Sequence, residues 1–394
     1  MKKYYLLILS IIFNITLSYA DGELNKKIVA ANSEYLASHF MNGAYMFSDA
    51  DGVIYKGAKG LYSTTTKQEL KPLQQMPIAS ATKTMTAAGI LKLQDKNLLN
   101  VQAPLAKYLD AKSGIWTDNK VPEWAKEVTL HDLLTHRTGI VEYFMNVDLD
   151  IKKTHAEINK DIANFAGDEE LKFKPGTKYH YCNTNFVLLG LVIEQVSGTK
   201  LGKFYDEELF GPLGLSDTRL LTLEEALQHQ TNPESMNYPI RYFVTPTGSE
   251  PQFTQAQSSF PMVPFADGGV ISTTHDLITW HQALHAGKVL SNASYNLMIT
   301  KHYELNSGQG VNNYMGYGLY ISDLENGDVL YQHAGNAVAI RSESGCILNK
   351  GVCFAVLSNV MDYIPKEMQG KVDLTKVENQ LDIIYFLKHV FKVI

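Results

Sequence analysis

The sequence predicts an α+β fold in which an antiparallel sheet flanked by helices stands beside an all-helical subdomain, and three observations carry that reading. Strand-forming runs lie at both ends of the chain, at residues 43–47 with 53–55 and again from 317 to 357. Between them run long apolar segments with helical composition, chiefly residues 81–93 and 185–196. The third observation is bulk: 394 residues, 45% hydrophobic and 19% charged, can bury a large core as one big domain or two closely packed ones.

The elements follow in order. Met1-Lys2-Lys3, an apolar stretch over residues 4–17 and Ser18-Tyr19-Ala20 form the three parts of a secretory signal, residues 1–20, with cleavage after Ala20. The alternative, an uncleaved anchor, is disfavoured because the stretch is shorter than about 20 residues. The expectation is a periplasmic or secreted protein with no stable membrane span after signal cleavage. Residues 21–394 then form the folded part, with a sheet layer from about 25–75 and 290–394 and a helical part at about 80–285. Residues 25–40 have helical spacing (Ile28, Leu36, Phe40), and Asp49-Ala50-Asp51-Gly52 joins the first two strands as a turn. Thr129-Leu130-His131-Asp132 opens a short helix that Gly139 closes, Gly198 caps the helix over 185–196, and Thr273 to Asp276 starts another that ends at His285-Ala286-Gly287. The proline-rich stretch 229–264 reads as long loops with one strand at 240–244. From 317 the pattern gives strands at 317–321, 329–333, 338–341, 346–348 and 352–357, and a C-terminal amphipathic helix at 377–391 that packs on them.

Within this frame Ser80 and Lys83 stand three residues apart at the start of the buried helix over 81–93. Positions i and i+3 are neighbours on a helix, so the lysine amine reaches the serine hydroxyl. Ser80 lies in the first turn, where unpaired N–H groups favour an oxyanion, and a lysine among apolar neighbours loses hydration and becomes a better base. Ser197-Gly198-Thr199-Lys200 repeats the spacing but surrounds a helix cap, so its serine and lysine read as surface groups.

Charge and cysteine content exclude other chemistry. A net charge of −6 without a basic run beyond the N-terminus argues against nucleic acid as a partner. His131 and His136 lie five apart and face different ways, no H-E-x-x-H or cysteine pair suggests zinc, and neither metal nor cofactor is expected. Three cysteines are too few for a disulfide scaffold; Cys346 and Cys353 flank a turn at Asn349 and Lys350, and either a bond between them or two small buried thiols fits.

Three landmarks stand in order: Ser80-x-x-Lys83, Tyr181-x-Asn183 and His333-x-Gly335. Their order and separations resemble the penicillin-recognising serine hydrolases, in particular the branch holding the class C β-lactamases, Streptomyces-type D,D-carboxypeptidases and related esterases. Supporting stretches are similar too, at residues 133–139, 173–177, 212–215 and Gly268-Gly269, so the resemblance runs from about Gly43 to Asn359.

The resemblance implies a β-lactamase/transpeptidase-like fold with the site in the cleft between sheet and helical part. It implies Ser80 as the acylated nucleophile, Lys83 and Tyr181 sharing the proton transfers, and Asn183 holding the lysine and a substrate amide. His333 and Gly335 would line the substrate strand, and the backbone N–H groups of Ser80 and Asn336 would form the oxyanion hole. The implied activity is a D-alanyl-D-alanine carboxypeptidase or β-lactamase-like amidase acting on a D-alanyl peptide, β-lactam or other small substrate; alternatives are a carboxylesterase and a catalytically silent wall-binding or sensor protein. Two departures matter. The third motif has histidine where β-lactamases have lysine, and Ala334 where a hydroxyl is usual, which leaves Arg241 or Arg341 to anchor a substrate carboxylate. The following segment, residues 336–340, lacks a glycine common in the family.

Overall fold

The computed structural model describes residues 22–38, 41–144, 146–150, 152–231, 239–247, 250–256, 265–308, 311–362 and 390. The signal over 1–20 lies outside the described residues, as does the C-terminal helix except Val390. The chain begins with α1 (Gly22–Ser38) and a hairpin of β1 (Gly43–Asp49) and β2 (Gly52–Lys59). Then come β3 (Met76–Pro77), α2 (Thr82–Asp95), α3 (Leu130–Leu134), α4 (His155–Gly167), α5 (Thr184–Ser197), α6 (Leu201–Tyr205), β4 (Arg219–Leu220) and α7 (Leu223–Thr231). A second hairpin, β5 (Tyr242–Thr247) and β6 (Glu250–Gln255), precedes β7 (Val270–Ser272), α8 (Thr274–His285) and α9 (Asn292–Met298). The chain returns to the sheet as β8 (Tyr303–Gly308), β9 (Val311–Met315), β10 (Tyr320–Asp323), β11 (Val329–Ala337), β12 (Ile340–Ile347) and β13 (Val352–Ser358), followed by β14 (Val360–Asp362).

Eight strands form one antiparallel sheet in the order β2-β1-β13-β12-β11-β10-β9-β8, so the N-terminal hairpin pairs with the last long strand. Side chains alternate between faces. Ala44, Met46, Ala355 and Leu357 meet the buried helices on one face, while Tyr45, Phe47, Phe354 and Val356 meet Ile28, Ala31 and Tyr35 of α1 and the buried Val390 on the other. Both faces are covered, which is why β1 is buried throughout. On the helical side α2 and α5 cross where Gly89 leaves room for Ile193 and Phe204, and α8 lies against β1, β12 and β13. No helix among the described residues is long and apolar enough to cross a membrane.

Several expectations change here. The α3 helix has its capping box between Thr129 and Asp132 but ends at Leu134, because His136 takes a left-handed backbone (φ 55°). Gly139 lies in the loop beyond, where a Cβ would stand 2.3 Å from the Phe173 carbonyl oxygen. Strands β8 and β9 escaped the sequence reading because their asparagine and serine residues suit a solvated sheet edge better than a core. Of residues 338–341, Ile340 and Arg341 open β12, whereas Val338 and Ala339 make the turn from β11 to β12, and Ala339 supplies its left-handed residue (φ 54°) without glycine. Cys346 and Ile347 end β12 and Leu348 begins the 3-10 turn after it, so residues 346–348 are not a strand of their own. The proline-rich stretch holds a hairpin instead of one strand. Cys346 and Cys353 face each other across β12 and β13 and are bonded; Cys182 is free and buried.

Candidate active site

Ser80 sits in a tight turn (Ala79–Ala81) that feeds directly into α2. The turn is clamped from two sides: Ile78 N–H donates to the Val270 carbonyl of β7 at 3.0 Å, and Ser342 Oγ of β12 donates to the Ile78 carbonyl at 2.6 Å. Ala79 is held at φ 45°, a conformation costly for a residue with a Cβ. The strand β11 packs so tightly on this turn that a Cβ at Gly335 would lie 2.0 Å from the Ile78 carbonyl oxygen.

One turn along α2, Lys83 is completely buried. Its Nζ donates to Ser80 Oγ (2.9 Å), Asn183 Oδ1 (2.8 Å) and the Asp267 carbonyl (2.7 Å). Three acceptors offset the desolvation that a lone buried ammonium would suffer. Burial still dominates and lowers Lys83 to about 8, against the opposing pull of Asp267 and Glu142.

The loop entering α5 brings Tyr181 and Asn183. The Tyr181 ring centroid lies 5.0 Å from Lys83 Nζ, and the His136 ring stacks on that of Tyr181 with centroids 4.4 Å apart. Burial holds the phenol well above its usual range, with the nearby Ser80 side chain pulling against it. The ring is therefore neutral, and of the two groups beside Ser80 the lysine titrates nearer neutrality. Asn183 spends its main-chain N–H and an amide N–H on Glu142 Oε2, at 2.7 and 3.1 Å. That orients its oxygen toward Lys83.

The opposite wall is β11. It pairs with β10 only as far as Gln332, so from His333 to Ala337 it has β12 on one side and the cleft on the other. His333 is buried and its Nδ1 donates to the Ala334 carbonyl at 2.6 Å; Nε2 has no hydrogen-bond partner among the described residues. Burial lowers it to about 3, so it is neutral at physiological pH. Asn336 lies farther along the same edge. The cleft between these walls has a volume of about 430 Å³.

All seven residues singled out in the sequence thus converge on one cleft or its immediate floor. Arg241 lines it as well; Arg341 does not, since it alternates with Ser342 and falls on the other face of the sheet. In the Ser197 copy, the hydroxyl bonds only to neighbouring Thr199. Missed from sequence were Glu142, Tyr143 and Asp267. Tyr143 donates its hydroxyl to the Asp267 carboxylate (3.0 Å), which burial raises to about 6. Asp267 adjoins the Gly268-Gly269 pair, which was its one available signal; Glu142 had none. Among the described residues no group of three or more His, Cys, Asp or Glu side chains could hold a metal ion.

Comparison with known proteins gives one family: residues 30–373 match the β-lactamase family model. Penicillin-binding protein 4* of Bacillus subtilis is 26% identical over 75% of this chain and 63% of its own length. Protein flp of Staphylococcus aureus is 29% identical over 54% of this chain and 38% of its own. The chain therefore spans less than two thirds of the length of these curated relatives. A D-amino acid amidase from Ochrobactrum anthropi, solved with D-phenylalanine, superposes with a TM-score of 0.72 over 94% of this chain and 98% of its own at 18% identity. That likeness is one of fold.

Proposed function

The chain belongs to the β-lactamase family, and from that premise we propose that it is an exported serine hydrolase that cleaves amides of the D-alanyl peptide or β-lactam kind through an acyl-enzyme on Ser80. The observation that carries the reading is the buried Lys83, lowered to about 8 and bonded at once to Ser80 Oγ and Asn183.

In this mechanism neutral Lys83 accepts the proton of Ser80 as Oγ attacks the substrate carbonyl. The oxyanion is held by the backbone N–H groups of Ser80 and Asn336, at the start of α2 and on the open edge of β11. Tyr181, kept as a neutral phenol between Ser80 and the cleft, passes a proton to the leaving nitrogen or oxygen, and Lys83 returns one to the phenol. Water then attacks the ester with the same groups in reverse roles. The signal-like pattern over residues 1–20 and the Cys346–Cys353 bond support an exported, oxidising setting.

A second reading, a carboxylesterase on the same residues, is favoured by one feature. His333 is neutral and Ala334 lacks a hydroxyl, so this end of the cleft offers little to a substrate carboxylate. Rates on a D-Ala-D-Ala peptide, nitrocefin and p-nitrophenyl acetate, compared as kcat/KM, separate the two. Activity on none of them, with Ser80 unmodified, refutes both and leaves the silent sensor.

A further inference from the structure

We propose that Glu142 is a positioning residue of the hydrolytic site: it satisfies the start of α5 in place of Asn183 and so leaves the Asn183 amide oxygen for Lys83. The inference rests on the hydrolase reading and adds to it the group that keeps the lysine in line with Ser80. Asn183 is the residue from which α5 starts, and an asparagine there ordinarily turns its side-chain oxygen onto the helix's own first N–H groups. Asn183 makes no such bond. Its oxygen accepts from Lys83 Nζ at 2.8 Å instead, beside the 2.9 Å bond from the same nitrogen to Ser80 Oγ.

Glu142 supplies what the helix end then lacks. Its Oε2 accepts the Asn183 main-chain N–H at 2.7 Å and an N–H of the Asn183 amide at 3.1 Å, while Oε1 accepts the Phe144 N–H at 2.9 Å. A carboxylate at the N-terminal end of this 14-residue helix also meets the positive end of its dipole. The segment that carries Glu142 is laced to the same helix start: Thr184 Oγ1 donates to the Val141 carbonyl at 2.7 Å and accepts the Tyr143 N–H at 2.9 Å. The Asn183 amide therefore has one orientation that suits both neighbours. Flipped, it would turn its N–H groups on the ammonium and its oxygen on the carboxylate, two repulsions in place of two bonds. With Glu142 removed, the helix end and Lys83 compete for one amide oxygen.

Glu142 also acts on Lys83 through space, favouring the ammonium, as Asp267 and Cys182 do. The other titratable groups around the amine are Tyr181, whose ring lies against it, and His136 and His333, which burial keeps neutral. Charge and orientation are separable: above the lysine's midpoint the amine has already lost its proton, and orientation alone counts.

The test measures kcat/KM of the full chain on p-nitrophenyl acetate against pH, with the plateau read at about pH 9.5. On the plateau Glu142→Ala should lose roughly tenfold to a hundredfold, while Glu142→Gln, which keeps one oxygen for Asn183, should lose no more than about threefold. Adding Glu142→Ala to Asn183→Ala should cost nothing further, because its effect passes through that amide. Glu142→Gln should also move the midpoint to lower pH, having removed a charge that favours the ammonium. A native plateau in Glu142→Ala, a full Glu142→Ala penalty in the Asn183→Ala background, or a glutamine as slow as the alanine overturns the inference while leaving the hydrolase intact. Should Glu142→Ala fail to fold, Glu142→Asp reads the same point. It keeps the charge but shortens the reach, and should be slower on the plateau than Glu142→Gln; an aspartate as fast as the glutamine overturns the inference. No turnover by the native protein, with no adduct on Ser80, overturns the hydrolase reading itself.

Discussion

Asp267 meets Lys83 through its main chain: the carbonyl oxygen lies 2.7 Å from Nζ, while the carboxylate turns to the Tyr143 hydroxyl at 3.0 Å. The carboxylate still raises Lys83 through space, against a larger lowering by burial that leaves the amine at about 8. If Lys83 is the base, only its unprotonated form works, so kcat/KM should rise from pH 6 to 9 with a midpoint near 8 and fall about tenfold per unit below it. Asp267→Asn removes a charge that favours the ammonium, so the midpoint should move to lower pH. An unchanged or higher midpoint in that variant, or a native midpoint below pH 6, contradicts the assignment.

Ala334 sets the preference between esters and carboxylate-bearing substrates. A hydroxyl there would hold the carboxylate of a penicillin, and its loss costs roughly tenfold to a hundredfold when the bond is made in the transition state. The native protein should hydrolyse p-nitrophenyl acetate better than nitrocefin, and Ala334→Thr should improve nitrocefin relative to the ester. A native preference for nitrocefin, or no gain from threonine, removes this account of the residue.

Gly268 lines the cleft and Gly335 lies between two residues that do, but the two differ in the room around them. A Cβ at Gly335 would lie 2.0 Å from the Ile78 carbonyl oxygen and 2.3 Å from Ser342 Oγ, whereas at Gly268 the nearest atom is 3.6 Å away. Gly335→Ala should therefore destabilise the fold by about 1–3 kcal/mol in urea unfolding, and Gly268→Ala by well under that. Equal stability of the two variants would mean that β11 does not press on the Ser80 turn.

Much of the site was legible because its spacing is local. The serine and lysine share one helix, and Gly198 as a cap told the second Ser-x-x-Lys apart from the first. The strands at the two ends of the chain were readable as short strand-forming runs joined by turns, and they do meet as β1 and β13. What escaped depends on tertiary placement. Glu142 reaches Asn183, Asp267 reaches Lys83 and Tyr143 reaches Asp267, each across a long stretch of sequence, and no local pattern marks such arrivals. The turn at Val338 and Ala339 was misread because an alanine takes the left-handed position that glycine or asparagine usually marks. Arg241 and Arg341 were indistinguishable until the fold put Arg241 on the wall of the cleft and Arg341 outside it.

Covalent labelling of Ser80 tests the central claim most directly. A fluorophosphonate or a fluorescent penicillin, followed by peptide mass spectrometry, should place one adduct on Ser80, with labelling abolished in Ser80→Ala and unaffected in Ser197→Ala. An adduct on another serine, or undiminished labelling of Ser80→Ala, would contradict the acyl-enzyme.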